Sequence, residues 1–409
     1  MRNLLTPWRL KWYPLFILFA LASGFLIAVF SGNGASTLSG RLGGDYPAFY
    51  SAGRIIAEGD WANLYNSRKQ SAVQKEFFPG SSYQVFVNPP FWAAAYYPLS
   101  LINYRLSYTI HTLLMVTALL LAIWLISPVN GYIPKHYVLV ICLTITYYPM
   151  FRAILGSQNT ALSLLLIVLC WRAVTANREW LAGIALGLLL FKPQFALPLI
   201  GLHLLSGRWR VAMGSLPVAA LLYGVGAYIS GPFWISEWFK YANWAAQLDA
   251  VINADKAVCW LGFFQAILGQ DNQSATIIGW TMTIITSAFL AFTWFIGGHR
   301  CDYKAQMGIA TAALVLLSPH VMYYDTGILI FTLAVLAGNF FESYWKLPCL
   351  IWTLSLSQLS GQFVGFSPLF LVVLFMLIVS IRVLGRGAMG CDLPVTFSSS
   401  GCRTLTSQN

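Results

Sequence analysis

Four separate stretches of the chain set polar or ionisable side chains beside apolar runs. They are Asp45 after Gly43-Gly44, Arg152 with Gln158 and Asn159, Lys192-Pro193-Gln194, and Ser318-Pro319-His320 with Tyr323, Tyr324 and Asp325. A carboxylate can take a proton, Arg, Lys and His can neutralise an anion, and amides and phenols can hold hydroxyl groups. Polar groups at or just below membrane depth are costly when unpaired, so these stretches point to one functional site. Spacing alone leaves a structural alternative open for each. Asp45 precedes Tyr46-Pro47 and fits a helix N-cap with proline in the first turn. Lys192 and Arg152 fit cations that snorkel to an interface, and His320 with Asp325 fits a hydrogen-bonded pair at helix ends.

The elements that must position these residues are apolar. Of 409 residues, 58% are hydrophobic, 15% aromatic and 9% charged, against roughly a quarter charged in an ordinary soluble domain. A hydrocarbon core about 30 Å thick takes roughly 20 apolar residues per helical crossing, so the chain reads as an all-α, polytopic membrane protein. Apolar runs predict about twelve transmembrane helices, near 12–30, 106–126, 136–150, 159–174, 180–191, 194–206, 211–230, 274–297, 305–318, 326–341, 347–360 and 368–384. The first run follows Arg2, Arg9 and Lys11 without a small-residue cleavage site, which predicts a retained anchor and a cytoplasmic N-terminus. Threading twelve spans from there puts nearly all of the +11 net charge on the cytoplasmic side and most of the thirteen acids outside. The four polar stretches then fall on the outer face.

Residues 1–384 read as a single integral membrane domain with outer loops at 31–105 and 231–273. Tyr46, Phe49, Tyr50, Ile55 and Ile56 recur at helical spacing in the first loop, which predicts an amphipathic helix lying on the membrane surface. The second loop is rich in Trp234, Trp238, Trp244 and Trp260, a residue type enriched at the headgroup level. From 385 to 409 the composition turns to Gly, Ser and Thr and predicts a disordered cytoplasmic tail.

Several function classes drop out. The basic charge follows the positive-inside rule and forms no water-exposed basic domain, so nucleic acid is not an expected partner. Seven cysteines are scattered without a C-x-x-C, so neither a disulfide framework nor a thiolate metal site is indicated. There is no H-E-x-x-H, no D-x-D and no nucleotide-binding glycine loop; no metal and no cofactor is expected. A lipid or solute transporter is the competing class. It would be expected to carry ionisable residues near mid-membrane in two related halves, whereas here they sit at helix ends.

The segment Gly44-Asp45-Tyr46-Pro47-Ala48-Phe49-Tyr50-Ser51-Ala52-Gly53-Arg54 resembles the first outer loop of glycosyltransferase family 87. The resemblance continues through Asn88-Pro89-Pro90-Phe91, Gly156-Ser157-Gln158-Asn159, Phe191-Lys192-Pro193-Gln194 and Ser318-Pro319-His320 with Tyr324-Asp325. It implies a C-type glycosyltransferase fold and transfer of a sugar, typically mannose, from a polyprenyl-phosphate donor to a glycolipid or glycan acceptor. The reaction would face the outside of the bacterial plasma membrane. In that frame Asp45 is the expected general base, and Lys192, Arg152, His320 and Arg54 are expected to hold the donor phosphate. Tyr50, Gln158, Asn159, Gln194, Tyr324 and Asp325 are expected to line the substrate site, with Asp325 orienting His320. A monophosphate leaving group can be neutralised by such cations in place of a metal ion.

Overall fold

The structure, a computed structural model, describes residues 6–30, 42–79, 83–299, 301–338 and 346–389. Among them every regular element is helical, and the extended pairing is an isolated antiparallel bridge between Ala257 and Met322. The chain opens with α1 (Pro7–Phe30), α2 (Tyr46–Ala57), α3 (Ser67–Lys75), α4 (Pro90–Ser100) and α5 (Tyr104–Ile126). The middle comprises α6 (Tyr132–Lys135), α7 (Tyr137–Thr146), α8 (Tyr148–Leu155), α9 (Thr160–Thr175), α10 (Glu179–Leu188), α11 (Pro193–Leu205) and α12 (Trp209–Ser230). Then come α13 (Trp234–Ile252), α14 (Trp260–Leu268), α15 (Gln273–Gly297) and α16 (Tyr303–Leu317), followed by α17 (Leu329–Ala337), α18 (Lys346–Ser355), α19 (Gly361–Val364) and α20 (Leu369–Ala388).

Helix starts follow local chemistry. The Asn66 side chain accepts from the Arg68 and Lys69 amides, Asn103 from Leu106, and Asp302 from Lys304 and Ala305, each satisfying donors that a first turn leaves open. Pro193 and Pro149 occupy first turns of α11 and α8, where a missing N–H costs nothing.

Among the described residues five helices, α1, α5, α12, α15 and α20, are long and apolar enough to cross a membrane. The pair α7 and α8 would make a sixth, bent by 71° at Tyr147. The described part of each of the twelve expected runs is helical, yet six of them lie in helices too short to pass that test. The reason is length. The 16 residues of α9 extend about 24 Å, less than a hydrocarbon core, and with α16, α17 and α20 they form the centre of the bundle, where a helix is apolar all round because protein surrounds it. The exterior is apolar too: Phe19 on α1 and Phe295 on α15 are 73% and 69% exposed. That is the surface a bundle offers to lipid, and the protein is a membrane protein.

One expectation is corrected. Rather than lying on the membrane surface, α2 is buried on nearly every side, because Tyr46, Phe49 and Tyr50 pack into a second, aromatic core with Tyr96, Tyr104 and Phe86. By contrast α13, in the second loop, keeps only Trp234 and Ala245 buried and is tied down where Trp238 Nε1 donates to the Val87 carbonyl at 2.8 Å. The segment 31–41 of the first loop and the tail from 390 lie outside the described residues, and α20 carries the helix on to Ala388.

Candidate functional site

The turn that brings Asp45 into place is a backbone-on-backbone contact. Gly44 has φ +57°, and a Cβ there would stand 2.9 Å from the Cα of Gly156, so this loop meets the turn between α8 and α9 as only glycine allows. The Asp45 amide donates to the Gly156 carbonyl at 3.3 Å. Asp45 occupies the N-cap position of α2 but its carboxylate caps no helix amide; Oδ2 instead accepts from Gln158 Nε2 at 2.5 Å. Of the two roles the local sequence allowed, side-chain capping is not the one adopted.

Lys192 lies between the 3₁₀ turn Leu189–Phe191 and α11, and its backbone (φ −123°, ψ 75°) breaks the helix just before Pro193. Its side chain is not a snorkelling one. Lys192 is buried and forms an ion pair and hydrogen bond with Asp325, itself buried, whose Oδ1 also accepts from Thr160 Oγ1 at 3.4 Å. Arg152, in the last turn of α8, donates from Nε to Tyr323 Oη at 3.1 Å and lies within electrostatic range of Asp45.

His320 does not pair with Asp325. Its Nε2 meets Asp249 Oδ2 at 3.1 Å, so the carboxylate beside this histidine comes from the last turn of α13. Burial works against the charge of Asp249, but the hydrogen bond and electrostatic contact with His320, the Asn253 amide and Lys256 outweigh it and hold the carboxyl below its usual range.

One cavity of about 2270 Å³ gathers these groups. Asp45, Arg152, Gln158, Lys192, Gln194 and His320 line it, as do Tyr324, Asp325 and Asp249. Its remaining wall is largely apolar, contributed by Leu21 and Phe25 of α1, Leu113 and Val116 of α5, and Phe239 and Val251 of α13. Among the described residues no cluster of three His, Cys, Asp or Glu side chains could hold a metal ion.

Three expected residues lie elsewhere. Tyr50 is buried and its hydroxyl donates to the Ile102 carbonyl at 2.7 Å, fastening α2 to the turn before α5. Asn159 is buried beneath the cavity and accepts from Tyr96 Oη at 3.1 Å. Arg54 stands more than two helical turns beyond Asp45 on α2, beside Glu58 at 3.7 Å in a partly exposed ionic group that includes Lys69. Helical spacing separates it from the cavity wall that Asp45 shares with Lys192.

The sequence profile of glycosyltransferase family 87 matches residues 86–319, more than half of the chain. The protein belongs to glycosyltransferase family 87. No curated protein and no solved structure matches it. The matched segment of this family 87 glycosyltransferase carries Arg152, Gln158, Lys192, Gln194 and Asp249, ends one residue before His320, and begins after Asp45. Asp249 is a cavity residue that sequence reasoning missed. It stands in an aromatic amphipathic helix far from His320 in the chain, and no motif spacing marks it.

Proposed function

We propose that the protein is an inverting glycosyltransferase that moves a hexosyl group, mannose in the first instance, from a polyprenyl-phosphate donor to a glycolipid or glycan acceptor. The cavity faces the outside of a bacterial plasma membrane. The observation that carries this reading is the cavity in which the Asp45 carboxylate shares a wall with Arg152, Lys192 and His320 while apolar helices close the rest. A lipid-linked phosphate needs cations and an apolar wall together.

In the reaction, the acceptor oxygen attacks the anomeric carbon, the bond from that carbon to the phosphate oxygen breaks, and the polyprenyl phosphate leaves with the electron pair. Asp45 takes the acceptor's proton, and Gln158 orients its carboxylate. A positioned general base contributes about 10² to 10⁴-fold. Lys192 has three N–H donors, one engaged by Asp325, which leaves donors for a phosphate oxygen. Arg152 and His320 supply the other positive charges at the leaving group, a stabilisation that grows as the bond breaks.

The test is incubation of purified protein with a labelled polyprenyl-phosphate sugar and a membrane lipid extract. Label passing into a new lipid or glycan supports the reading. Donor left intact across a panel of sugars and acceptors would sink it.

A further inference from the structure

Asp249 has no counterpart in the chemistry so far assigned to the cavity, yet it is the group in contact with His320. Its Oδ2 lies 3.1 Å from His320 Nε2, its other oxygen accepts from Asn253 Nδ2, and Lys256 on the following turn faces the same carboxylate. Both sides of the contact are anchored. The Val258 amide donates to the Val321 carbonyl at 2.9 Å, beside the Ala257–Met322 bridge, and Cys259 Sγ donates to the Pro319 carbonyl at 3.5 Å. The residues after α13 are thereby stitched to the segment that carries His320. The Tyr324 hydroxyl is within electrostatic reach of Asp249, while Lys192 pairs with Asp325 on the same wall.

We propose that Asp249 is a positioning residue that holds the His320 imidazole so that it meets a phosphate oxygen as a cation. The inference rests on the donor-phosphate reading above. A carboxylate and a phosphate oxygen are both hydrogen-bond acceptors at neutral pH, and an imidazole lying between them uses one ring nitrogen for each. Only the imidazolium carries hydrogen on both nitrogens. With Nε2 committed to Asp249, Nδ1 is the nitrogen left for the ligand, and the ring can serve it only in the charged form. The helix that bears Asp249 therefore takes part in phosphate capture without touching the phosphate.

The experiment measures binding of a polyprenyl monophosphate, which needs no sugar transfer, to the purified full chain in detergent at about pH 6 and about pH 8, either side of the ordinary histidine range. Asp249→Asn keeps the shape of the side chain but removes its charge. It is expected to weaken binding about tenfold at the higher pH and less at the lower, where an imidazole in general takes up a proton. Asp249→Glu should restore part of the affinity, and Asp249→Asn placed in a His320→Gln background should cost nothing further. Unchanged binding by folded Asp249→Asn at both pH values, or an equal loss with and without His320, overturns the inference. Failure of the unsubstituted protein to bind the lipid phosphate overturns the donor reading and this inference together.

Discussion

Asp45 and Asp325 are carboxylates on the wall of one cavity in opposite circumstances. Asp325 is committed to Lys192 and Thr160, whereas Asp45 takes a neutral amide from Gln158. A base paired with a cation is weakened, which sets Asp325 behind Asp45 as the proton acceptor. Asp45→Asn keeps size and backbone fold and removes the proton acceptor. Transfer is expected to fall about 10² to 10⁴-fold with donor binding retained, and near-normal turnover in a donor-to-acceptor label assay would take Asp45 out of the mechanism. Lys192 requires a paired design, because removing one partner of a buried ion pair costs about 3 to 5 kcal/mol in stability by itself. Lys192→Ala with Asp325→Asn is expected to stay folded and to bind polyprenyl phosphate about tenfold more weakly, while Asp325→Asn alone keeps the cation and should bind at least as well. Equal affinity in both, read by the same binding assay, would remove Lys192 from the phosphate site. The residue types at the site were legible from sequence because ionisable groups stand out against apolar runs. Their pairings were not. His320 and Asp325 are neighbours in the chain, but the partners chosen in space, Asp249 and Lys192, come from helices that only the tertiary fold brings there.

The positions of elements follow the same division. The apolar runs were readable as helices, since a run of Leu, Ile and Ala bounded by Asn, Pro or Gly carries both its content and its ends. Whether such a helix crosses a membrane cannot be read from its own run alone: α9 and α16 read as spans, fall short of the length a crossing needs, and pack at the centre of the bundle. For the same reason α2 showed helical periodicity without showing that both of its faces would be covered. The packing of α10 against α12 is the element contact with the most direct bearing on the site, because α10 leads through the 3₁₀ turn to Lys192. It depends on close backbone approach: a Cβ on Gly183 would lie 2.1 Å from the Val211 carbonyl oxygen, and one on Gly214 would lie 2.4 Å from that of Trp180. Gly183→Ala must therefore push the helices apart. Overpacking of this kind costs about 1 to 3 kcal/mol, and because Lys192 rides on the displaced end, donor affinity should fall along with the melting temperature. A Gly183→Ala protein that melts and binds donor like the parent would show that α10 and α12 have slack the geometry does not reveal.

At the scale of the whole molecule, the uneven distribution of charge sets orientation. Basic residues cluster in the loops 172–178 and 208–210 and around Arg2, Arg9 and Lys11, while the cavity that carries Asp45, Asp249 and Asp325 opens among loops where acids and bases nearly balance. Lys and Arg resist translocation, so the orientation we propose keeps the basic loops in the cytoplasm and turns the cavity outward. This orientation is also the one in which a lipid-linked donor, which needs no cytoplasmic nucleotide at the site, has a use. Ala72 on α3 and Ala176 after α9 are both exposed and belong to opposite sides under this assignment. In a background freed of the seven native cysteines, Ala72→Cys in intact cells should react with a membrane-impermeant maleimide, and Ala176→Cys only after permeabilisation. The reverse pattern would turn the molecule over and place the cavity on the cytoplasmic side. Labelling of both positions in intact cells would mean that the segment between them crosses the membrane an even number of times, and the bent pair α7 and α8 would then be a re-entrant loop that enters and leaves by one face, not a broken span.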